Sequence, residues 1–364
     1  MGPRKATIFY GGFLHKAGGA FMHATSIKKE LERLGWQVSL ITLDSIPIWC
    51  RYLPHLTQIL FNFIKMPLGF AYKGKITRLL YKLYFSIEDN LRIFEDIYIA
   101  WNSTVPSVTI LHAVWSDNLQ TFSLKTGVEN KLKEVESKLI NKIEHPIVTV
   151  SYPYLTYLKE EHFKNYALRN LGVIELGVDY LAFNNSRGAL TDKKSIVYVG
   201  ALEARKNVLF LLKVYEALYR TDSEYKLTII GDGPEKEVLY DFSKDKQLKV
   251  SFLGKLSHEV VLKELYQHSI YLHTSVKESF SYSLLEAKLA GLKTCAFSGL
   301  QVPSEFIDVP VLSFSIDDWC KSILNIGSAP ERFNRSRYSV KEMTLSTLNL
   351  VDMPTVSASN IHSH

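Results

Sequence analysis

Residues 195–219 read Ser195-Ile196-Val197-Tyr198-Val199-Gly200-Ala201-Leu202-Glu203-Ala204-Arg205-Lys206-Asn207-Val208-Leu209-Phe210-Leu211-Leu212-Lys213-Val214-Tyr215-Glu216-Ala217-Leu218-Tyr219. An apolar, β-branched run closes at Gly200, a polar loop follows, and apolar residues then recur at helical spacing, which predicts a strand from Ser195 to Val199 and a helix from Val208 to Tyr219. The unit repeats downstream. Lys226 to Ile230 reads as a strand, Gly231-Asp232-Gly233-Pro234 as a turn, Glu235 to Phe242 as a helix and Val250 to Leu253 as a strand ending at Gly254. A helix from Glu259 to Gln267, a short strand from Ile270 to His273, a further helix and a strand from Lys293 to Phe297 continue the series. Strict alternation of strand and helix specifies a doubly wound parallel sheet.

The other half of the chain starts in the same way. Thr7 to Tyr10 reads as a strand, Ala20 to Leu34 as a helix and Gln37 to Thr42 as a second strand, with later strands expected at Ile97 to Trp101, Val108 to His112 and Ile147 to Val150. At 364 residues the chain is long enough for two cores. The expected division is residues 1–180, 181–335 and a terminal segment 336–364, with the boundary marked by Gly177-Val178-Asp179 and the polar stretch Asn184 to Lys194, and a frayed tail after Val351. Lys341 to Val351 is expected to be a helix.

Within the second half, Lys277-Glu278-Ser279-Phe280-Ser281-Tyr282-Ser283-Leu284-Leu285-Glu286-Ala287 puts one carboxylate in a polar loop and another in the first turns of an apolar helix starting near Ser281 to Ser283. A carboxylate accepts hydrogen bonds on two oxygens, which suits the two hydroxyls of a vicinal diol such as ribose. The unpaired amides of the helix start favour sugar oxygens or phosphates. The spacing alone is equally compatible with a loop carboxylate and a solvated helix residue. Arg205 and Lys206 lie just beyond a strand end, where open α/β sheets bind ligands, and two adjacent cations there would neutralise a departing diphosphate. A surface ion pair is the alternative.

In the first half, no compact G-x-G-x-x-G follows the first strand, which weakens a dinucleotide-dehydrogenase reading. Gly18-Gly19-Ala20 instead stands at a helix start, where missing side chains let phosphate oxygens approach backbone N–H groups; a flexible glycine loop would look the same. His112 ends an apolar strand and could equally be a satisfied core histidine.

The Glu278/Glu286 pair resembles the E-x7-E motif of the GT4 family of retaining nucleotide-sugar glycosyltransferases. The resemblance implies a GT-B fold, α/β in class, with two Rossmann-like doubly wound domains facing each other across a cleft. It implies that Glu286 binds the ribose hydroxyls, that Glu278 with Phe280, Ser281, Tyr282 and Ser283 orients the donor sugar, and that Arg205 and Lys206 hold the diphosphate. Gly18 and Gly19 would face that diphosphate, Gly231 and Gly233 would shape the backbone near the nucleotide, and Leu253-Gly254-Lys255-Leu256 would meet the base. His112 resembles the family histidine near sugar and acceptor, although Ala113 stands where Asp often follows. A second departure is Ser281, where relatives commonly carry Gly. In GT-B proteins the last helix crosses back to the N-terminal domain.

The expectation is therefore a retaining glycosyltransferase with a nucleoside diphosphate sugar as donor, no separate cofactor, and a hydroxyl of a glycan or lipid-linked acceptor. A nucleotide-sugar epimerase of the same fold and a non-catalytic nucleotide-sugar or glycan-binding protein remain open alternatives. No Asp-x-Asp triplet and no His/Cys cluster with ligand spacing occurs, so no metal is expected.

Composition is that of a soluble globular protein, 46% hydrophobic and 22% charged, and three scattered cysteines fit neither a disulfide framework nor a zinc site. No secretory signal is evident, and a cytoplasmic location is expected. Residues 45–87 hold no Asp or Glu but carry Arg51, Lys65, Lys73, Lys75, Arg78 and Lys82, a local +6 that equals the net charge of the whole chain. Aromatic residues such as Trp49, Tyr52, Phe70, Tyr81 and Tyr84 are interleaved with them. Such an insertion could dock on an anionic membrane at the inner face of the plasma membrane, or form a helical excursion that buries its rings and solvates its lysines. Nucleic acid is not an expected partner.

Overall fold

The computed structural model describes residues 4–14, 18–63, 69–85, 88–119, 126–179, 183, 193–326 and 334–352. Most of the polar stretch Asn184 to Lys194, the tail after Asp352 and Lys65 lie outside the described residues. The chain forms two compact units, Met1–Gly177 with Arg337–His364, and Val178–Ser336.

The first unit contains β1 (Lys5–Phe9), α1 (Gly19–Arg33), β2 (Gln37–Ile41), α2 (Leu53–Phe63), α3 (Gly69–Tyr84), β3 (Leu91–Phe94), β4 (Ser107–Leu111), α4 (Trp115–Leu119), α5 (Thr126–Lys142), β5 (Ile147–Thr149), α6 (Tyr152–Tyr157) and β6 (Gly172–Val173). Its strands form one parallel sheet in the order β2-β1-β3-β4-β5-β6. Central strands β1 and β4 are buried on both faces, which explains their continuous rather than alternating apolar character. Ser151 caps α6, its hydroxyl accepting from the Tyr154 amide at 3.2 Å.

One expected strand is corrected. The third strand is Leu91–Phe94, and Ile97 to Trp101 forms a turn and coil in which Ile97, Tyr98, Ile99 and Ala100 are all buried. Burial of an apolar run does not distinguish a strand from a packed turn. Here the Asp96 carboxylate accepts the Tyr98 amide at 3.0 Å and turns the chain out of the sheet.

The second unit contains β7 (Ser195–Val199), α7 (Val208–Thr221), β8 (Lys226–Ile230), α8 (Lys236–Asp245), β9 (Val250–Gly254), α9 (His258–Leu265), β10 (Ile270–His273), α10 (Tyr282–Leu289), β11 (Lys293–Phe297), β12 (Val309–Val311) and α11 (Ile316–Leu324). All six strands are parallel, in the order β12-β11-β10-β7-β8-β9. The apolar stripe of α7, with Val208, Leu211, Leu212, Tyr215 and Leu218 buried, packs on Ile196, Tyr198, Leu227 and Ile229 of the sheet and on Trp319 of α11. The last helix, α12 (Val340–Asp352), belongs to the first unit and packs on α1 and β4.

The 45–87 insertion forms the helix pair α2 and α3, which pack against each other. Several of its rings turn inward: Tyr81 is fully buried with its hydroxyl donating to the Tyr10 carbonyl at 2.6 Å, and Phe70 stacks on Trp115 at 4.1 Å. Its exposed large apolar side chains are Ile48, Leu53, Leu56, Ile59, Leu60, Leu79 and Leu83, together with Trp49 and Tyr52, and Lys75 and Lys82 are exposed as well. No helix among the described residues is long and apolar enough to cross a membrane.

Candidate active site

In the second sheet β7 has β8 on one side and β10 on the other, so the chain order reverses between β7 and β10. Loops leaving the carboxyl ends of two such strands diverge and open a crevice, the usual ligand position in this architecture. The loop after β7 forms a single 3-10 turn, Ala204–Lys206, ending at Asn207 in the left-handed conformation (φ 53°). Two hydrogen bonds clamp that turn to the loop after β10: the Thr274 hydroxyl donates to the Lys206 carbonyl and the Val276 amide to the Arg205 carbonyl, both at 3.1 Å.

The clamp brings three predicted residues together. Lys206 Nζ forms an ion pair with Glu278 Oε1, and Arg205 reaches the same oxygen at 3.6 Å. His273 Nε2, fully buried at the end of β10, lies 3.3 Å from it. Burial works against the charged form of Glu278, but Lys206, His273 and Arg205 outweigh it and hold its pKa well below the usual carboxylate range. Burial dominates at His273 and lowers its pKa despite the Glu278 contact. The carboxylate is thus a held anion, and two cations line the turn beside it.

Glu286 lies one turn into α10 and is only 5% exposed. Its Oε1 is 2.7 Å from His258 Nε2, the first residue of α9. Between the two glutamates, Phe280 is buried against Tyr282 and Phe306, so its side chain anchors the loop while only its backbone is available to a ligand. Ser281 caps α10, its hydroxyl accepting from the Leu284 amide at 3.4 Å and lying 3.4 Å from the Ser283 hydroxyl. Its φ of 70° is a left-handed geometry that costs an L-residue about 1–2 kcal/mol, so a serine stands where glycine would be unstrained.

Gly231 has φ 151°, and a Cβ there would meet the Gly200 carbonyl oxygen at 1.8 Å; at Gly233 it would meet the Leu202 carbonyl at 2.4 Å. Both glycines let the loops after β7 and β8 touch backbone to backbone. The Leu202 amide donates to the Asp232 carbonyl and the Glu235 amide to the Leu202 carbonyl, each at 3.0 Å. Leu256 lies half-buried in the loop between β9 and α9, two residues before His258.

Gly18, Gly19 and His112 belong to the first unit. Gly18 is the N-cap of α1 in extended conformation, without a side-chain cap and with open space where a Cβ would stand. His112 lines a cavity of about 330 Å³ at the carboxyl ends of β1, β3 and β4, the equivalent switch point of the first sheet. Tyr10, Phe13, Phe70, Tyr98 and Trp115 give it aromatic walls, and Lys73, Glu95 and Asp96 supply charge.

Below His112 sits the fully buried Glu95, whose Oε2 is 2.7 Å from His112 Nε2 and 2.8 Å from His23 Nδ1. Burial raises the pKa of Glu95, but the charge of His23 and the hydrogen bonds from both rings reverse the balance and lower it. His23, Glu95 and His112 are the one group among the described residues with a donor set for a metal ion, their ligand atoms lying within 4.8 Å of one another. The hydrogen bonds from both imidazoles already balance the carboxylate. Asp96, partly buried beside it, is pushed up to about 6 by desolvation in spite of the Tyr98 and Ile97 amides and Lys73.

Sequence reasoning missed Glu95, Asp96, His258 and His273, and named Lys73 only as one cation of the 45–87 stretch. Glu95 and Asp96 follow directly on β3, so correct placement of that strand would have exposed them as strand-end residues. His273 closes a strand that was read correctly, which is the same signal. His258 carries none.

Two Rossmann-like units, each an all-parallel six-stranded sheet, define the GT-B fold. The family described as Glycosyl transferases group 1 matches residues 182–308. A human phosphatidylinositol N-acetylglucosaminyltransferase chain is 30% identical over 171 residues, covering 44% of this chain and 34% of that protein. The 2-deoxystreptamine N-acetyl-D-glucosaminyltransferase of Niallia circulans is 27% identical over 173 residues, covering 45% of this chain and 44% of that protein. The chain thus spans less than half the length of these curated relatives. Among solved structures, sucrose-phosphate synthase from Thermosynechococcus elongatus superposes with a TM-score of 0.71 at 16% identity, covering 96% of this chain and 95% of that one.

Proposed function

We propose that this protein is a retaining glycosyltransferase of the GT4 type that moves a sugar from a nucleoside diphosphate to a hydroxyl of a glycan or lipid-linked acceptor. The observation that carries the reading is the pairing of a cationic turn, Arg205-Lys206, with two near-buried carboxylates at the switch point of the second sheet. In this reading Arg205 and Lys206 bind the diphosphate and stabilise the charge that develops as the anomeric carbon–oxygen bond breaks. Glu286 takes the ribose hydroxyls. The acceptor oxygen forms the new bond on the same face of the sugar, and its proton passes to the departing phosphate oxygen. Glu278 acts as an orienting anion rather than a nucleophile, since Lys206, Arg205 and His273 all converge on its Oε1.

The aromatic cavity of the first unit is the proposed acceptor site, with His112 and Asp96 at its base. The exposed aliphatic face of α2 and α3 is the proposed contact with a membrane carrying that acceptor, with the exposed Lys75 and Lys82 available to anionic head groups. In this reading the aliphatic side chains carry the contact rather than Arg51 and Arg78, which donate to backbone carbonyls. The protein would then work peripherally on the cytoplasmic membrane face, without metal or cofactor.

The test is incubation with UDP-, GDP- and ADP-sugars, alone and with glycan or lipid acceptors, followed by NMR of the anomeric centre. Transfer with retained configuration, unaffected by a chelator, supports the reading. An epimerised donor in the absence of acceptor would establish the epimerase alternative, and donor binding without turnover would establish the binding-protein alternative.

A further inference from the structure

We infer that His258 is a positioning residue for the ribose diol, fixing the Glu286 carboxylate so that the site discriminates ribonucleotides from deoxyribonucleotides. The inference rests on the proposed role of Glu286 and goes beyond it by naming a second residue and a specificity. Glu286 is nearly buried, its side chain 7% exposed, yet the hydrogen bond between His258 Nε2 and its Oε1 at 2.7 Å is the one polar contact made by that carboxylate among the described residues. Of the cations that could have neutralised it, Lys206 is paired with Glu278, and Arg205 with Glu203 at 2.7 Å and with Glu278 at 3.6 Å. A carboxylate offers about four lone-pair sites, and leaving most of them unmet in a nearly dry site is costly unless a ligand supplies donors. Two hydroxyls on adjacent carbons supply two.

The terminal torsion of a glutamate is broad, so a carboxylate without a partner rotates freely. One fixed N–H on one oxygen sets the plane of the group and leaves the other oxygen oriented. His258 is suited to this task by its position. It opens α9 directly after the Leu256-Ser257 loop, and its own side chain is 46% exposed, so it reaches Glu286 from the solvent side and is not locked into the core. The His258–Glu286 bond links the start of α9 to α10 across 28 residues of sequence. The carboxylate accepts, so Nε2 carries the hydrogen.

The experiment titrates the full chain with UDP, GDP and ADP and with the 2′,3′-dideoxy form of whichever binds best. It uses wild type, His258→Ala, His258→Gln and Glu286→Gln, with melting temperatures measured in parallel. Loss of one positioning hydrogen bond is expected to weaken ribonucleotide binding by about 5–10-fold in His258→Ala. Affinity for the dideoxy form should stay unchanged, and His258→Gln, which keeps an N–H donor, should recover part of the loss. Equal weakening toward both nucleotides would mark a purely structural role and overturn the inference, as would no change toward either. A ribose preference that depends on Glu286 but not on His258 overturns this inference alone. Failure of wild type to bind any of the three nucleotides overturns the proposed function with it.

Discussion

Replacing Lys206 with methionine removes the ammonium from a nearly dry ion pair while keeping most of the side-chain volume. The Lys206 and Glu278 side chains are 11% and 10% exposed, so solvent screens the pair little. Breaking a buried pair by deleting one partner costs about 3–5 kcal/mol, because the other charge is left uncompensated. Here Arg205 at 3.6 Å and His273 at 3.3 Å remain on the same oxygen, which reduces the expected cost to about 2–3 kcal/mol. For a unit of this size that corresponds to a fall in Tm of about 5–10 °C.

The same pair fixes the direction of the pH dependence. The folded-state pKa of Glu278 is depressed, so its pairing stabilises the fold above the unfolded carboxylate pKa, and that contribution is lost as pH falls through the lower folded value. Lys206→Met brings the folded value back up, so the gap between variant and wild type should be full at neutral pH and narrow in acid. Urea denaturation across that range measures it. Lys206→Met/Glu278→Gln should be more stable than the sum of the two single changes predicts, since both charges then leave together. A gap independent of pH, with additive single effects, would refute the assignment of Lys206 as the counterion that holds Glu278 ionised.

Ser281→Gly should be neutral or stabilising by up to about 1 kcal/mol, because relief of the left-handed strain exceeds the loss of one long cap bond and the added chain entropy, whereas Ser281→Ala keeps the strain, loses the cap and should cost about 1 kcal/mol. Thermal denaturation of both variants compares them. Gly231→Ala, driving a methyl into the Gly200 carbonyl at positive φ, should lower Tm more than either. In the first unit, burial raises Asp96 to about 6 and raises to about 7 the buried Glu136 of α5, which accepts from the Trp115 and Ser116 amides, so the folded state holds protons that the unfolded chain releases; stability of that unit should fall as pH rises from about 4 to about 7, and Asp96→Asn should flatten that slope in a pH series of melting curves. Leu56→Asp with Leu60→Asp on the exposed face of α2 should abolish flotation with anionic liposomes at unchanged Tm, and undiminished flotation would exclude that face as the membrane contact.

The strands Ser195–Val199, Lys226–Ile230, Ile270–His273 and Lys293–Phe297 were legible to the residue, since each is a short apolar run closed by glycine or a polar loop, the pattern a doubly buried strand imposes. Leu91–Phe94 was not, because an arginine interrupts it while the neighbouring Ile97 to Trp101 is longer and wholly apolar. The two glutamates could be singled out from spacing because one helix and its preceding loop carry both. Which residues pair with them could not be read. Lys206 meets Glu278 across 72 residues and Glu95 joins His23 from 72 residues away, and only the sheet order brings such positions together. Strain at Ser281 was visible only as an unexpected residue type; its positive φ turns that oddity into an energy.

Isothermal titration of a nucleoside diphosphate into wild type, Arg205→Ala and Glu286→Ala asks whether the crevice between β7 and β10 is a nucleotide site. One site is expected in the wild type, weakened about tenfold or more by each substitution, as follows from loss of a charge-assisted contact. Binding that is equal in all three proteins, or absent from the wild type with UDP, GDP and ADP alike, would contradict the proposed donor site.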